Sequence, residues 1–406
     1  KCECGCGEFT KEYDIMDVWF DSGVSHTAVM DDFDSLTWPA DLYLEGADQY
    51  RGWFQSSLLT SVVYKGTAPY KAVCTHGWVV DGEGKTMHKS LGNGIAPSEI
   101  TDQYGADVLR LWVASSDYHS DIRISKPILS QLSDAYKKIR NTARFILGNL
   151  GNGAGFDPDK DRVTDDQLTE LDKWALMKLD ALIDDVKAGY DKYDFHVAFH
   201  AIHNFCVIDM SNFYLDIIKD RLYCEKEDSE VRRAAQTAMY RILSAITRLA
   251  APIISFTAEE IWQFMPHASA DDKESVFLNQ MPEKSGIEFS DEFKDKWDFI
   301  YNTRLGANKA LEDARNDKTI GKSLEAQIII KSGEADYDRY VSLSDQLKDI
   351  LIVSGVSVEK SEGATTFEVA KAEGGKCERC WCYSKYVGTN HDHPDLCERC
   401  AVAVEL

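Results

Sequence analysis

Near its C-terminus the sequence repeats one short pattern, Cys377-Glu378-Arg379-Cys380 and Cys397-Glu398-Arg399-Cys400, with sixteen residues between the pairs. Thiols at this spacing suit two knuckles that grip one tetrahedral zinc ion, so the segment must fold back until four sulfurs converge. The competing reading is a pair of disulfides. The other cysteines weigh against it: all eleven are clustered or scattered without a secretory signal, and that usage favours metal ligation in a reducing compartment. Cys382, His391 and His393 are spare ligand candidates. Cys2, Cys4 and Cys6 sit in a glycine-rich turn and read equally as free thiols or as part of a second zinc site.

A second constraint lies at Gly77–Asn93, GWVVDGEGKTMHKSLGN. Trp78-Val79-Val80 predicts a short strand, and Asp81-Gly82-Glu83-Gly84 a tight, mobile turn. Lys85 to Ser90 then follow, with Gly92 close behind. A lysine on a glycine-flanked loop at a strand end can swing its ammonium onto a phosphate. A solvated basic loop is the plainer reading of such a stretch taken alone.

The remaining pattern divides the chain. Ile15–Phe20 reads as a short buried strand, and 31–35 as an acidic insert. Ala40–Leu44 is a strand ending at Glu45, and Gln49–Tyr64 has helical spacing. Tyr70–Thr75 and Gly77–Val80 read as strands, and Ser98–Tyr104 and Asp107–Ser115 as helices. Strands alternating with helices imply a parallel α/β sheet, with ligands at the carboxyl ends of its strands, where Glu45 and the 86–90 loop fall. The chain then becomes almost wholly helical. Tyr136, Ile139, Ala143, Ile146 and Leu150 line one face of a helix, and Lys137, Arg140 and Arg144 lie together on another. That basic stripe reads as solvated charge or as a surface that tracks phosphates. Thr164 and Gln167 fit a capping box for the next helix. Helices over about 195–218 and 229–250 follow, and Thr257 with Glu260 suits the cap of a further one. His196, His200 and His203 have helical spacing, but the phenylalanines around them favour packing over a metal site. Past 302, a helix, a strand, a helix and two strands read as a small α+β unit.

With 406 residues, two to four domains are expected. No apolar run approaches the roughly 20 residues that span a bilayer, so no membrane partner is expected. The formal net charge of −23 argues against a nucleic-acid partner unless basic residues are locally concentrated.

Four stretches carry a resemblance: Asp17-Val18-Trp19-Phe20-Asp21-Ser22-Gly23, the run from Tyr43 to Phe54 (YLEGADQYRGWF), Thr86–Ser90, and Gly105–Arg110 (GADVLR). With the terminal cysteines, they resemble the C-terminal part of bacterial isoleucyl-tRNA synthetases, a class I aminoacyl-tRNA ligase family. Thr86–Ser90 occupies the place of that class's Lys-Met-Ser-Lys-Ser loop, with Thr86 in place of the first lysine, His88 in place of the central serine, and Lys85 one position early. The resemblance implies a multidomain fold. Residues 1–16 would end an inserted domain, and 17–125 would form the C-terminal half of a Rossmann-like α/β catalytic domain. An all-α anticodon-binding bundle would occupy 126–301, a small α+β junction 302–371, and a zinc-binding domain 372–406. It implies ATP, with Mg2+, L-isoleucine and tRNA(Ile) as substrates, a cytoplasmic monomer, and no DNA partner. Lys89 would stabilise the ATP phosphates in catalysis, with Met87, His88 and Ser90 beside it. Glu45, Asp48, Gln49, Trp19 and Trp53 would bind the aminoacyl-adenylate. Lys137, Arg140 and Arg144 would contact tRNA. Because a His-Ile-Gly-His-type motif and the editing domain are missing, this part alone is expected to be inactive. The competing readings are a non-catalytic RNA-binding module with a structural zinc, and a valyl or leucyl ligase.

Overall fold

A computed structural model describes residues 2–151, 153 and 155–404, and of Lys89 the backbone only. The chain forms two compact units, Lys1–Glu99 with Ser116–Leu129, and Ile100–Ser115 with Ser130–Leu406.

The first unit is built on parallel strand pairs. Helices α1 (Val18–Gly23) and α2 (Ser25–Ala28) precede strand β1 (Ala40–Gly46). A 3-10 turn, Ala47–Arg51, and helix α3 (Trp53–Lys65) then lead to β2 (Tyr70–His76), which pairs in parallel with β1 so that Glu45 lies opposite Thr75. Strand β3 (Val79–Val80) pairs in parallel with β4 (Ile122–Arg123). The single parallel sheet expected from the sequence is therefore two separate pairs. The break falls at Gly77, whose N–H donates to Tyr118 O and where an added Cβ would lie 2.5 Å from the Ser120 carbonyl carbon. The strand expected at Ile15–Phe20 is also absent. Asp17 caps α1 there, its carboxylate accepting from the backbone N–H groups of Trp19 and Phe20 at 2.8 and 3.3 Å. That cap outweighs the strand preference of the apolar residues, and Ile15 is 93% exposed.

The second unit holds most of helices α4 (Pro97–Tyr104) and α6 (Lys126–Leu150) and all of α5 (Ala106–Ala114), followed by α7 (Glu170–Asp191) and α8 (Phe195–Asn204). The Thr164–Gln167 box opens only a 3-10 turn, and a second box, Thr169 with Asp172, opens α7. A π-helical stretch, Phe205–Tyr214, runs on into α9 (Leu215–Ile217) and α10 (Lys219–Cys224). Helix α11 (Glu230–Ala250) is buried on nearly every face, because Ala234, Ala235, Ala238 and Ala245 let neighbouring helices approach. Helix α12 (Ser255–Phe264) begins two residues before Thr257. The cap expected from Glu260 is instead supplied by Asp107 of α5, which accepts from the backbone N–H groups of Phe256 and Thr257 and from the Thr257 hydroxyl.

Helix α13 (Asp291–Asn316) starts well before the pattern change at 302. It is followed by β5 (Ala326–Ser332), α14 (Glu334–Leu351), β6 (Gly355–Lys360) and β7 (Thr366–Lys371), in a sheet ordered β6-β5-β7. Central strand β5 alternates buried and half-buried residues, as a strand covered on one face should. Gly306 of α13 meets the Phe367 ring of β7, where a Cβ would sit 2.5 Å from a ring carbon. The chain ends its described course with the short pair β8 (Gly375–Lys376) and β9 (Tyr383–Ser384) and helix α15 (Glu398–Val404).

A buried charge cluster ties α7 to α10. Asp172 is 0% exposed and receives both guanidinium nitrogens of Arg221 at 3.0 Å and the Tyr214 hydroxyl at 2.7 Å. Burial pushes the Tyr214 hydroxyl well above its ordinary pKa, and the Asp172 charge adds to that shift, so Tyr214 stays a donor. Asp172→Ala leaves the half-buried Arg221 without its partner and is expected to cost about 3 kcal/mol in urea unfolding, whereas Tyr214→Phe is expected to cost about 1–3 kcal/mol.

Candidate adenylate, loop and zinc sites

At the carboxyl end of β1, Asp48, Gln49, Trp19 and Trp53 come together beside Glu45. Gln49 Oε1 accepts from the Trp53 N–H at 2.9 Å, and Gln49 Nε2 donates to Asp48 at 3.3 Å. Gly52 lies between Gln49 and the Trp19 ring, and an added Cβ there would meet them at 2.5 and 3.1 Å. A side chain there would push the Gln49 amide off the Trp53 N–H, a constraint the sequence pattern did not reveal. Trp53 stacks on Tyr43 with ring centroids 4.4 Å apart and donates from Nε1 to Ser22 O at 3.0 Å. It is half-buried and committed to packing, whereas Trp19 is 49% exposed and presents ring surface. Glu45 is exposed, and one carboxylate oxygen accepts from the Gly46 N–H at 3.1 Å.

Met87, His88 and Ser90 belong to a second group, the loop that leaves β3. Thr86 bridges back to Val80, and its hydroxyl lies 3.1 Å from His88 Nε2. Lys85 pairs with exposed Glu83 at 2.7 Å. Lys89 opens a 3-10 turn, Lys89–Leu91, and its side chain lies outside the described residues. Sequence reasoning passed over two residues here. Asp81 accepts from the backbone N–H groups of Glu83 and Lys85 and from the Asn93 amide. The Asn93 bond, with those backbone donors, holds the Asp81 carboxyl below its ordinary range.

Lys137, Arg140 and Arg144 are exposed along α6, with Lys137 3.0 Å from Asp134 one turn earlier. His200 and His203 lie against the Phe199 ring, at centroid distances of 5.0 and 5.9 Å.

The sulfurs of Cys377, Cys380, Cys397 and Cys400 lie within 4.8 Å of one another, and all four residues are buried. Cys380 Sγ is 3.7 Å from Cys397 Sγ. Four sulfurs about 2.3 Å from a central zinc would be roughly 3.8 Å apart along each tetrahedral edge, so the set fits zinc. Four protein thiolates close the shell, which makes the metal structural, with no open position for catalysis. Burial raises the Cys377 thiol, but backbone N–H groups at Cys380, Cys397 and Arg379 outweigh it and bring it down to about 6. His391 is fully exposed beside Asp392, away from this set. Trp381 turns the first knuckle with a φ of +64°, and its N–H donates to Cys377 O at 2.8 Å.

The arginines inside both knuckles face α10. Arg399 makes a two-pronged pair with Asp220, at 2.5 and 2.8 Å, and Arg379 donates to Cys224 O at 3.2 Å. Both arginines are therefore engaged structurally, holding the knuckles to α10. Cys224 itself is buried against the zinc cysteines.

The comparisons with known proteins follow these sites along the chain. Residues 1–125 match the family "tRNA synthetases class I (I, L, M and V)", residues 172–330 the "Anticodon-binding domain of tRNA ligase", and residues 374–402 the "Zinc finger found in FPG and IleRS". On these matches the chain is similar, segment by segment, to class I tRNA synthetases. Within that class, it is similar over its length to isoleucine–tRNA ligases. It is 53% identical to the one from Syntrophotalea carbinolica over 99% of this chain, and 50% identical to the one from Thermoanaerobacter sp. over 100%. The chain spans 44% of the length of those relatives. Among solved structures, the agnB2 LeuRS of Agrobacterium radiobacter K84, in a ternary complex with tRNA and LeuAMS, shares the fold at a TM-score of 0.55 and 15% identity. That match covers 92% of this chain and 44% of the LeuRS chain. The methionyl-tRNA synthetase of Mycobacterium tuberculosis, with methionyl-adenylate, has a TM-score of 0.50 and 20% identity, and the match covers 61% of this chain and 50% of the other.

Cys397→Ser is expected to abolish the zinc ion held by these four cysteines, lowering the zinc content by one ion per chain in metal analysis. It should also open residues 374–402 to protease while the helices around α11 stay resistant, because metal binding and knuckle folding are one event.

Proposed function

We propose that this chain is the loop-bearing and tRNA-binding part of an isoleucine–tRNA ligase. The whole enzyme would activate L-isoleucine with ATP to isoleucyl-adenylate, releasing pyrophosphate, and then pass the acyl group to the 2′-hydroxyl of tRNA(Ile). The observation that carries this reading is identity of 48–53% with isoleucine–tRNA ligases over essentially every residue of the chain. The LeuRS structure, by contrast, shares only the fold, at 15% identity. Glu45 at the end of β1 and the loop after β3 are features that a purely RNA-binding module would not require.

The protein's work in such a reaction is positioning and charge neutralisation. Lys89 sits on the loop that follows β3, and its ammonium would meet the charge that grows on the ATP phosphates as pyrophosphate leaves. Met87, His88 and Ser90 flank it and would line the ATP contact, and Mg2+ would accompany the phosphates. Glu45 and Asp48 supply carboxylates for the amino group and ribose of the adenylate, and Gln49 fixes the turn between them. The exposed Trp19 ring would cover the isoleucine side chain, and Trp53 would hold that wall from behind. Lys137, Arg140 and Arg144 would track tRNA phosphates from α6. A cytoplasmic setting and a monomer complete the reading, and no helix among the described residues is long and apolar enough to cross a membrane.

In the full-length protein carrying this chain, Lys89→Ala should lower isoleucine-dependent ATP–pyrophosphate exchange by about 100-fold or more, the scale of one lost transition-state donor. Folding should be unchanged. Wild-type exchange in that variant, or exchange driven by leucine or valine in preference to isoleucine, would overturn the reading.

A further inference from the structure

The loop after β3 is rich in residues that resist order. Gly82, Gly84, Gly92 and Gly94 all fall within it, and each adds backbone freedom that must be lost when the loop is fixed. Yet its course is held by two side chains outside the signature segment. Asp81 Oδ1 accepts from the N–H groups of Glu83 at 3.0 Å and Lys85 at 2.9 Å, fastening the outgoing turn. Asp81 Oδ2 accepts from Asn93 Nδ2 at 2.8 Å, fastening the return. Asn93 then reaches the segment from its other side. Its Nδ2 also donates to Thr86 O at 3.2 Å, and its Oδ1 accepts from the His88 N–H at 2.9 Å. Both side chains are half-buried.

We propose that Asp81 and Asn93 form a clamp that positions residues 85–90 for their work on ATP, an inference that rests on the function proposed above. The two residues are not interchangeable with their close relatives. A carboxylate only accepts, while an amide both accepts and donates, so only this pair fills all five bonds at once. Asp81→Asn turns an NH2 group toward the Asn93 NH2. Asn93→Asp sets two carboxylates against each other. The exchanged pair, Asp81→Asn with Asn93→Asp, restores one donor facing one acceptor, while the bond to Thr86 O is replaced by a carboxylate oxygen facing that carbonyl, so recovery is partial. Neither residue is assigned to touch substrate. They act through the loop, which they would hold in one arrangement before ATP arrives and so spare the ordering cost at the moment of reaction.

The test is a double-mutant cycle in the full-length protein, read in two ways. Tryptic cleavage after Lys85 and Lys89, mapped by mass spectrometry, reports loop order whatever the activity. The kcat of isoleucine-dependent ATP–pyrophosphate exchange, set against KM for isoleucine, reports positioning. Each single variant should be cleaved several-fold faster and lose about tenfold or more in kcat, the scale of one lost charge-assisted hydrogen bond. KM for isoleucine and Tm should stay unchanged. The exchanged pair should recover toward wild type in both readouts. Single variants with wild-type cleavage and kcat, or an exchanged pair no better than the product of the singles, would overturn the clamp. Wild-type protein without isoleucine-dependent exchange would sink the function, and the cleavage rates would then decide the clamp alone.

Discussion

A carboxylate with no access to water sets the geometry of the second unit. Asp172 pulls Arg221 and Tyr214 onto α7, which fixes the course of the π-helical stretch and of α10. Removing Arg221 would strand the buried Asp172 charge, whereas removing the Tyr214 hydroxyl takes away one neutral donor, so the ion pair is the larger contribution. Helix α10 then offers two neighbours of Arg221 to the zinc knuckle: Asp220 takes Arg399, and Cys224 takes Arg379. The metal gathers four thiols, and the arginines between those thiols dock the result. Buried ion pair, short helix and zinc site are therefore one chain of dependence.

This use of the knuckle arginines matters for electrostatics. The chain carries a formal charge of −23, and many of its basic side chains are spent on internal partners, Arg221, Arg304 and Arg399 among them. A polyanion needs basic groups that remain on the surface, and those on α6 remain exposed. Net charge does not by itself decide for or against a polyanionic partner, because it sums over groups that are already paired.

Much of the layout was legible because it is local. The strand at Ala40, the 3.6-residue period of α6 and α11, the Cys-x-x-Cys pairs and the alternation in β5 are each written within a few residues. What was not legible depends on partners far along the chain. The α1 segment looked like a strand until Asp17 acted as its cap. The cap of α12 came from Asp107, about 150 residues earlier, and no local pattern could show it. The clamp residues Asp81 and Asn93 flank the signature segment, but their pairing depends on how the loop closes, which glycine-rich sequence leaves open. Gly52 gave no signal at all, since its importance lies in the space between Trp19 and Gln49.

The central claim is that this chain is the part of an isoleucine–tRNA ligase that meets its tRNA. The most direct test is the affinity of the zinc-loaded chain, at one fixed low salt concentration, for isoleucine, valine, leucine and methionine tRNAs. The account predicts tightest binding to the isoleucine tRNA, with affinity falling as salt rises. Equal binding to all four, or no binding by a folded, zinc-loaded chain, would contradict it.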